Sequence, residues 1–117
     1  MNDKHRKIIE GLKRATQSGK IKWEETGLDR KFETTLGEYA INVYLIENNG
    51  AFQIMMPGTI TAEMSFVDSQ GEEFDSVKSY STKDEAYLSI SQLYDLARRS
   101  ASGTDEKLDD IISLMPF

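Results

Sequence analysis

The densest group of carboxylates in the chain lies between residues 68 and 75. Asp68, Glu72, Glu73 and Asp75 flank Gly71 in this short stretch. A hard cation such as Ca²⁺ takes about six to eight oxygen ligands, and acidic loops of this kind sometimes supply them. Here the Asp-x-Asp-x-Asp-Gly pattern is missing, and no glutamate stands at its closing position. The residues therefore predict a solvated hairpin turn rather than a metal site.

The chain has few side chains that could carry out covalent or acid–base chemistry. It contains no cysteine, which excludes a thiolate nucleophile, a disulfide and a thiolate-bound metal. Its single histidine, His5, could exchange protons near neutral pH, but no serine stands in a nucleophile-elbow context. Ser18-Gly19-Lys20 ends like a phosphate-binding loop, but the upstream glycine of that motif is absent. These observations predict that the protein is not an enzyme and needs no cofactor.

Charge is distributed unevenly along the chain, whose formal net charge is −6. Residues 1–31 carry nine Lys and Arg against five Asp and Glu, whereas residues 32–117 carry five against fifteen. The basic segment either contacts a nucleic acid or an anionic lipid, or docks on the acidic remainder of its own domain. We favour the second interpretation, because an acidic protein repels a polyanion at long range. The nucleic-acid alternative would use Lys7, Lys13, Arg14, Lys20 and Lys22.

Hydrophobic periodicity predicts one helix at the N-terminus and two at the C-terminus. Apolar residues recur at three- and four-residue spacing between residues 8 and 15, after a cap at Asn2 or Asp3. Thr82 and Glu85 have the spacing of a capping box, which opens a second helix that ends near residue 103. Thr104 is the expected cap of a last helix, whose apolar face is formed by Leu108, Ile111, Ile112 and Met115.

A two-residue periodicity predicts four or five strands between these helices. The expected strands begin at Phe32 and cover residues 39–47, 52–56, 59–67 and, more weakly, 74–80. Turns at Gly37-Glu38, Asn48-Asn49-Gly50, Pro57-Gly58 and residues 68–71 separate them. Apolar side chains fall mainly on one parity of each strand, which is typical of an antiparallel sheet with one buried face.

Strands flanked by helices, without strand–helix alternation, indicate an α+β fold in a single domain over residues 1–117. We expect an N-terminal helix, an antiparallel meander of four to five strands and two C-terminal helices packed on the sheet. Ala40, Tyr44 and Ile46 place further apolar groups on the second face of the sheet. The terminal helices, a partner or a second copy of the chain could cover that face.

The sequence contains no recognisable targeting or membrane segment. Its charged N-terminus is followed by only two consecutive apolar residues, whereas a signal peptide needs roughly 7–15. The longest apolar tract, over residues 39–46, is far shorter than the ~20 residues that span a bilayer. We therefore expect a cytoplasmic protein without a membrane partner.

Several core positions and caps follow one another in a recognisable order. Gly19-Lys20-Ile21-Lys22-Trp23 precedes Phe32-x-x-x-Leu36 and the strand over residues 39–47, and Tyr94-x-x-Ala97-Arg98-Arg99 precedes a helix over residues 108–114. This order resembles that in a group of small uncharacterised bacterial and prophage proteins. The resemblance implies a bacterial or prophage source and an α+β fold, and it carries no established activity.

Small size, acidic charge and the scarcity of catalytic groups favour a non-catalytic interaction protein of the bacterial cytoplasm, with an accessory, immunity or inhibitor-like role. Its partner would be another protein, with a homodimer as one form of that interaction. The acidic residues expected to face the partner are Glu63, Asp68, Glu72, Glu73 and Asp75. The alternative is a small-ligand-binding module with a pocket between sheet and helices, lined by Trp23, Tyr44 and Phe52.

Overall fold

A computed structural model describes residues 1–45 and 62–116 of the chain. It confirms the predicted α+β class, with an N-terminal helix, a five-stranded antiparallel sheet and two C-terminal helices. In chain order the elements are α1 (Asp3–Gln17), β1 (Glu24–Glu25), β2 (Lys31–Leu36), β3 (Tyr39–Leu45), β4 (Ala62–Val67), β5 (Glu73–Ser79), α2 (Glu85–Ser102) and α3 (Thr104–Leu114). No helix in the described ranges is long and apolar enough to cross a bilayer.

The strands pair in the order β1-β2-β3-β4-β5, with every neighbouring pair antiparallel. The predicted turn at Gly37-Glu38 is confirmed: Leu36 pairs with Tyr39, and Gly37 has a φ of +59° that favours glycine. β3 pairs directly with β4 along 40–45 and 62–67. The predicted strand over 52–56 and the turns at Asn48-Asn49-Gly50 and Pro57-Gly58 lie outside the described residues.

One face of the sheet forms the hydrophobic core with the helices. Across the middle of this helix face, Phe32, Val43, Met64 and Val77 stand in register on four neighbouring strands. All four are buried, and they share one cluster with apolar residues of α1 and α2. The alternation predicted for β3 and β4 is thus confirmed over the described residues, because the two-residue period of a strand sends every second side chain to the same face.

Both α1 and α2 lie on the helix face and run in the same direction. Arg6 near the start of α1 pairs with Glu85 at the start of α2, with Nε and Oε1 2.7 Å apart. Further along, Lys13 Nζ donates to Gln92 Oε1 at 2.7 Å. Two cations of the basic segment therefore hold α1 against α2, in line with its expected docking on its own domain. Neither α1 nor α2 covers the opposite face of the sheet, although Asn42, Glu63 and Ser65 are buried there.

The helix termini differ in detail from the predicted ones. Asn2 caps α1, accepting a hydrogen bond from the amide of His5 at 2.9 Å. The predicted capping box at Thr82 is wrong: Asp84 is the N-cap of α2, and no side chain caps that end. Glu85, which would have closed the box, instead pairs with Arg6 of α1. The competing tertiary ion pair explains the difference.

The last helix, α3, follows α2 after one residue, Gly103, whose φ of +64° turns the chain. Gly103 is its N-cap, so the cap predicted at Thr104 is wrong by one position; the Thr104 hydroxyl pairs with that of Ser102. α3 contacts the end of α2, and none of its residues is buried.

Candidate functional site

An exposed aromatic pair lies at the start of β5. Phe74 is 57% exposed and Tyr39 48%, and their rings meet edge to face with centroids 5.8 Å apart. Leu36, which pairs with Tyr39 across the β2–β3 turn, is also exposed. Phe74 touches the buried Phe66 as well, at 6.2 Å between centroids. We call Leu36, Tyr39 and Phe74 the aromatic patch; it is continuous with the core.

A β-bulge places Phe74 in this patch. Asp75 pairs with Phe66 and Glu73 with Val67, so Phe74 has no partner residue in β4. An extra residue of this kind interrupts the alternation of faces, and two successive side chains turn to one side. Phe74 and Asp75 both point to the helix face, where Phe74 meets Tyr39 and Asp75 meets His5.

His5 holds the Asp75 carboxylate in place next to the aromatic patch. Its ring stacks on Phe66 at 5.9 Å, and its Nε2 lies 2.7 Å from Asp75 Oδ2. The amide of Asn2 donates to His5 Nδ1 at 3.3 Å, so Nδ1 is the acceptor and Nε2 carries the proton given to Asp75. This hydrogen bond, together with one from the Ser76 amide, holds the pKa of Asp75 below its usual value. His5 therefore has a structural role that its place near the N-terminus did not suggest.

The predicted turn between β4 and β5 is confirmed, and it brings three further carboxylates to this end of the sheet. Asp68 Oδ1 accepts hydrogen bonds from the amides of Gln70, at 2.9 Å, and Glu72, at 3.1 Å. Asp68 is thus largely engaged in shaping the turn. Glu72 and Glu73 are exposed, and the described part of the chain offers neither of them a cationic partner. Their negative charge is available to another molecule.

Glu63 does not belong to this group. It lies on the opposite face of the sheet, between Tyr44 of β3 and Lys78 of β5, and is only 7% exposed. Its carboxylate accepts a hydrogen bond from the Tyr44 hydroxyl; burial and this bond together raise the pKa of Tyr44. Of the five acidic residues predicted to face a partner, Asp68, Glu72, Glu73 and Asp75 lie at one end of the sheet, and Glu63 is buried among its neighbours. Asp75 stands on the helix face, whereas Glu73, which pairs with Val67, stands on the opposite face.

The predicted ligand pocket does not form from the residues proposed for it. Trp23 is buried on the helix face, with Nε1 donating to Thr16 Oγ1 of α1 at 2.9 Å. Tyr44 projects from the opposite face, under the ammonium of Lys31. The sheet separates the two rings, and the third proposed residue, Phe52, lies outside the described residues. Trp23 and Tyr44 therefore cannot line one cavity.

A cleft of about 490 Å³ does exist where the end of α1 meets the junction of α2 and α3. Its walls include Ile21, Leu96, Arg99 and Glu106. The Arg99 guanidinium lies 3.7 Å from Asp95 and 3.8 Å from Asp105, so its charge is already compensated. The described residues contain no group of three or more His, Asp or Glu placed to hold a metal ion. Thr16, Gln17, Lys22 and Ser100 also line the cleft, so its walls are polar as well as apolar.

Fold and surface together define a small α+β protein that presents an aromatic patch beside unpaired carboxylates. No protein-family model, curated protein or solved structure matches this chain. The resemblance to small bacterial and prophage proteins accordingly stays a prediction, and function has to be argued from the surface itself.

Sequence reasoning identifies the acidic side of this surface and misses its aromatic side. Periodicity assigns Tyr39 and Phe74 each to a strand and gives no indication that they meet. The available signal is the composition around Phe74, which stands alone between Glu73 and Asp75 at the very start of its strand. An aromatic residue between two carboxylates fits a buried strand poorly.

Proposed function

We propose that this protein is a non-catalytic interaction module that binds another protein through the aromatic patch and the carboxylates beside it. The observation that carries the proposal is the pair of half-exposed rings, Tyr39 and Phe74, held in edge contact on a sheet. Large aromatic side chains dominate the binding energy of protein interfaces when they lie near the centre of a contact. A rigid sheet reduces the entropy lost when they are buried.

The carboxylates define the charge of the partner. Glu72 and Glu73 have no cationic partner among the described residues, and Asp75 is held ionised by His5. Such a rim accelerates encounter with a positively charged protein and repels a negatively charged one. It also argues against a second copy of this chain on the same patch, since two acidic rims would meet. We infer a partner with apolar side chains surrounded by Lys or Arg.

The proposed setting is the bacterial cytoplasm, and the proposed role is accessory, immunity or inhibitor-like. Small size and acidic charge support this role, since binding and blocking a basic partner requires no chemistry from the protein itself.

Affinity capture with three parallel baits tests the proposal. Wild type, Phe74→Ala and Tyr80→Ala are each presented to a bacterial cytoplasmic extract. Tyr80 is a matched control, because it is 54% exposed and directly follows the other end of β5. We expect the partner to be retained by wild type and Tyr80→Ala and lost with Phe74→Ala, at about tenfold weaker affinity or worse. Equal retention by all three baits would reject the aromatic patch as the binding site.

The charge contribution is measured on the captured partner. Reversing the two free carboxylates, in Glu72→Lys with Glu73→Lys, should slow association and flatten its dependence on salt, with a smaller effect on dissociation. Thermal unfolding of each variant verifies that the sheet is intact. Association rates that do not respond to charge reversal would show that the acidic rim has no part in recognition.

A further inference from the structure

Two exposed rings and one carboxylate share the same end of the helix face. The ring planes of Tyr39 and Phe74 make an angle of 65°, and both residues are about half exposed. Two rings at this angle bound a corner in which a third group can touch both of them. Asp75 follows Phe74 directly, and the bulge turns both side chains to this face. The aromatic corner therefore has a negative group beside it.

The Asp75 carboxylate is held in place and can still accept further hydrogen bonds. Its Oδ2 lies 2.7 Å from His5 Nε2, and its Oδ1 accepts a hydrogen bond from the Ser76 amide at 2.9 Å. A carboxylate offers about four lone-pair positions, so these two bonds leave about half of them unused. The side chain of Asp75 is 49% exposed. Asp75 is thus oriented by its own chain and accessible to a donor from another molecule.

No cation within residues 1–45 and 62–116 lies over the rings of Tyr39 or Phe74. The cation–ring contact seen in these ranges joins Lys31 to Tyr44 on the opposite face. Arg6, in the first part of α1, is engaged by Glu85 and by Asp3. The corner and the unused positions of Asp75 are therefore left to a cation from outside the described chain.

We propose that the partner places an arginine in this corner, with its guanidinium against the rings of Tyr39 and Phe74 and hydrogen-bonded to Asp75. Aromatic faces attract cations, and a neighbouring carboxylate strengthens the contact through charge. Arginine fits better than lysine, because its guanidinium is planar, stacks on rings and is more weakly hydrated than an ammonium group. This inference rests on the proposed function and names the contact at the centre of that interface.

The probe is blocked arginine, N-acetyl-arginine methylamide, added to the full-length protein at constant ionic strength. Binding is followed by the NMR amide signals of β5. Blocked citrulline, which has nearly the same shape without the charge, and blocked lysine are the comparison ligands. The variants are Phe74→Leu, which removes the ring but keeps an apolar side chain, and Asp75→Asn, which removes the charge. Tyr80→Leu is the control, since Tyr80 is similarly exposed and lies outside the corner.

We expect blocked arginine to shift the amide signals of Phe74 and Asp75 and to bind more tightly than blocked lysine or blocked citrulline. Phe74→Leu and Asp75→Asn should each weaken its binding about two- to fivefold, whereas Tyr80→Leu should leave it unchanged. Equal affinity for blocked arginine and either comparison ligand would overturn the inference. So would an affinity that does not change in Phe74→Leu.

Capture of the partner separates this inference from the proposed function. If an arginine occupies the corner, Phe74→Leu should lose the partner as Phe74→Ala does, because leucine has no ring face for the guanidinium. Retention by Phe74→Leu together with loss by Phe74→Ala would keep the aromatic patch as an apolar binding surface and reject the arginine. Retention by both variants would reject the inference and the proposed function together.

Discussion

The hydrogen bond between Trp23 and Thr16 ties the segment after α1 to that helix, and removing its acceptor is a direct test of the core geometry. Trp23 Nε1 donates to Thr16 Oγ1 at 2.9 Å, and Thr16 Oγ1 in turn donates to the Leu12 carbonyl. Thr16→Val keeps the shape and the branching of the side chain but leaves the indole N–H without an acceptor in a buried site. Trp23 is 3% exposed, so water cannot easily replace the lost partner.

An unpaired buried donor costs about 1–3 kcal/mol of unfolding free energy. For a domain of this size that corresponds to a fall in Tm of roughly 5 to 15 °C. Thr16→Ser is the matched control, since it keeps the hydroxyl and loses one methyl group, and it should cost about 1 kcal/mol or less. Urea denaturation followed by circular dichroism gives both values without relying on the fluorescence of the single tryptophan.

A double-mutant cycle separates the hydrogen bond from other effects of the substitution. Phenylalanine has no N–H, so in a Trp23→Phe background Thr16→Val should cost about 0.5 kcal/mol or less. The coupling energy between the two positions is then about 1 kcal/mol or more. The reasoning is refuted if Thr16→Val costs no more than Thr16→Ser, or if its cost is the same in both backgrounds.

Four further substitutions probe single features of the fold. The hydrogen bond from His5 lowers the pKa of Asp75, so the Asp75 carboxylate contributes stability above its ordinary pKa of about 4 and loses that contribution as the pH falls. The Tm difference between wild type and Asp75→Asn should therefore vanish in acid. A constant Tm difference down to pH ~3 would contradict this. Gly11 lies inside α1 with open space where a methyl group would be added, so Gly11→Ala should raise the unfolding free energy by about 0.5–1 kcal/mol. Gly103 has a φ of +64°, so Gly103→Ala should lower the unfolding free energy by about 1–2 kcal/mol. Urea midpoints of the two variants that move in the same direction would refute the backbone argument. Asn42 is buried on the opposite face, and its Oδ1 has no hydrogen-bond donor among the described residues, so Asn42→Val should raise the urea midpoint; a fall would show that the amide is needed.

Features governed by local periodicity could be predicted from the sequence. β3 places Ile41 and Val43 on the helix face as expected, because the two-residue period of a strand sends every second side chain to the same face. The turn over 68–71 was also predicted, since Asp68 and Gly71 have local conformational preferences that do not depend on the rest of the chain. These sequence signals extend over only a few residues, and the local interactions that cause them also act in the folded protein.

Features that depend on distant residues could not be predicted. His5 and Asp75 are 70 positions apart, so nothing in the sequence around either residue indicates their hydrogen bond. Arg6 draws Glu85 away from its expected role at the start of α2 for the same reason. Trp23 and Tyr44 were expected to line one pocket, yet the strand register, which is set by the whole sheet, places them on opposite faces.

The bulge in β5 connects these long-range effects to the proposed function. In a regular pairing Phe74 would stand opposite Val67, on the face away from the helices. The extra residue instead moves it beside Tyr39, next to the carboxylate that His5 orients. Internal contacts meanwhile engage Arg6 and Lys13, while Glu72 and Glu73 stay exposed. The uneven charge of the sequence thus leaves exposed carboxylates beside the aromatic patch, and the proposed function rests on that combination.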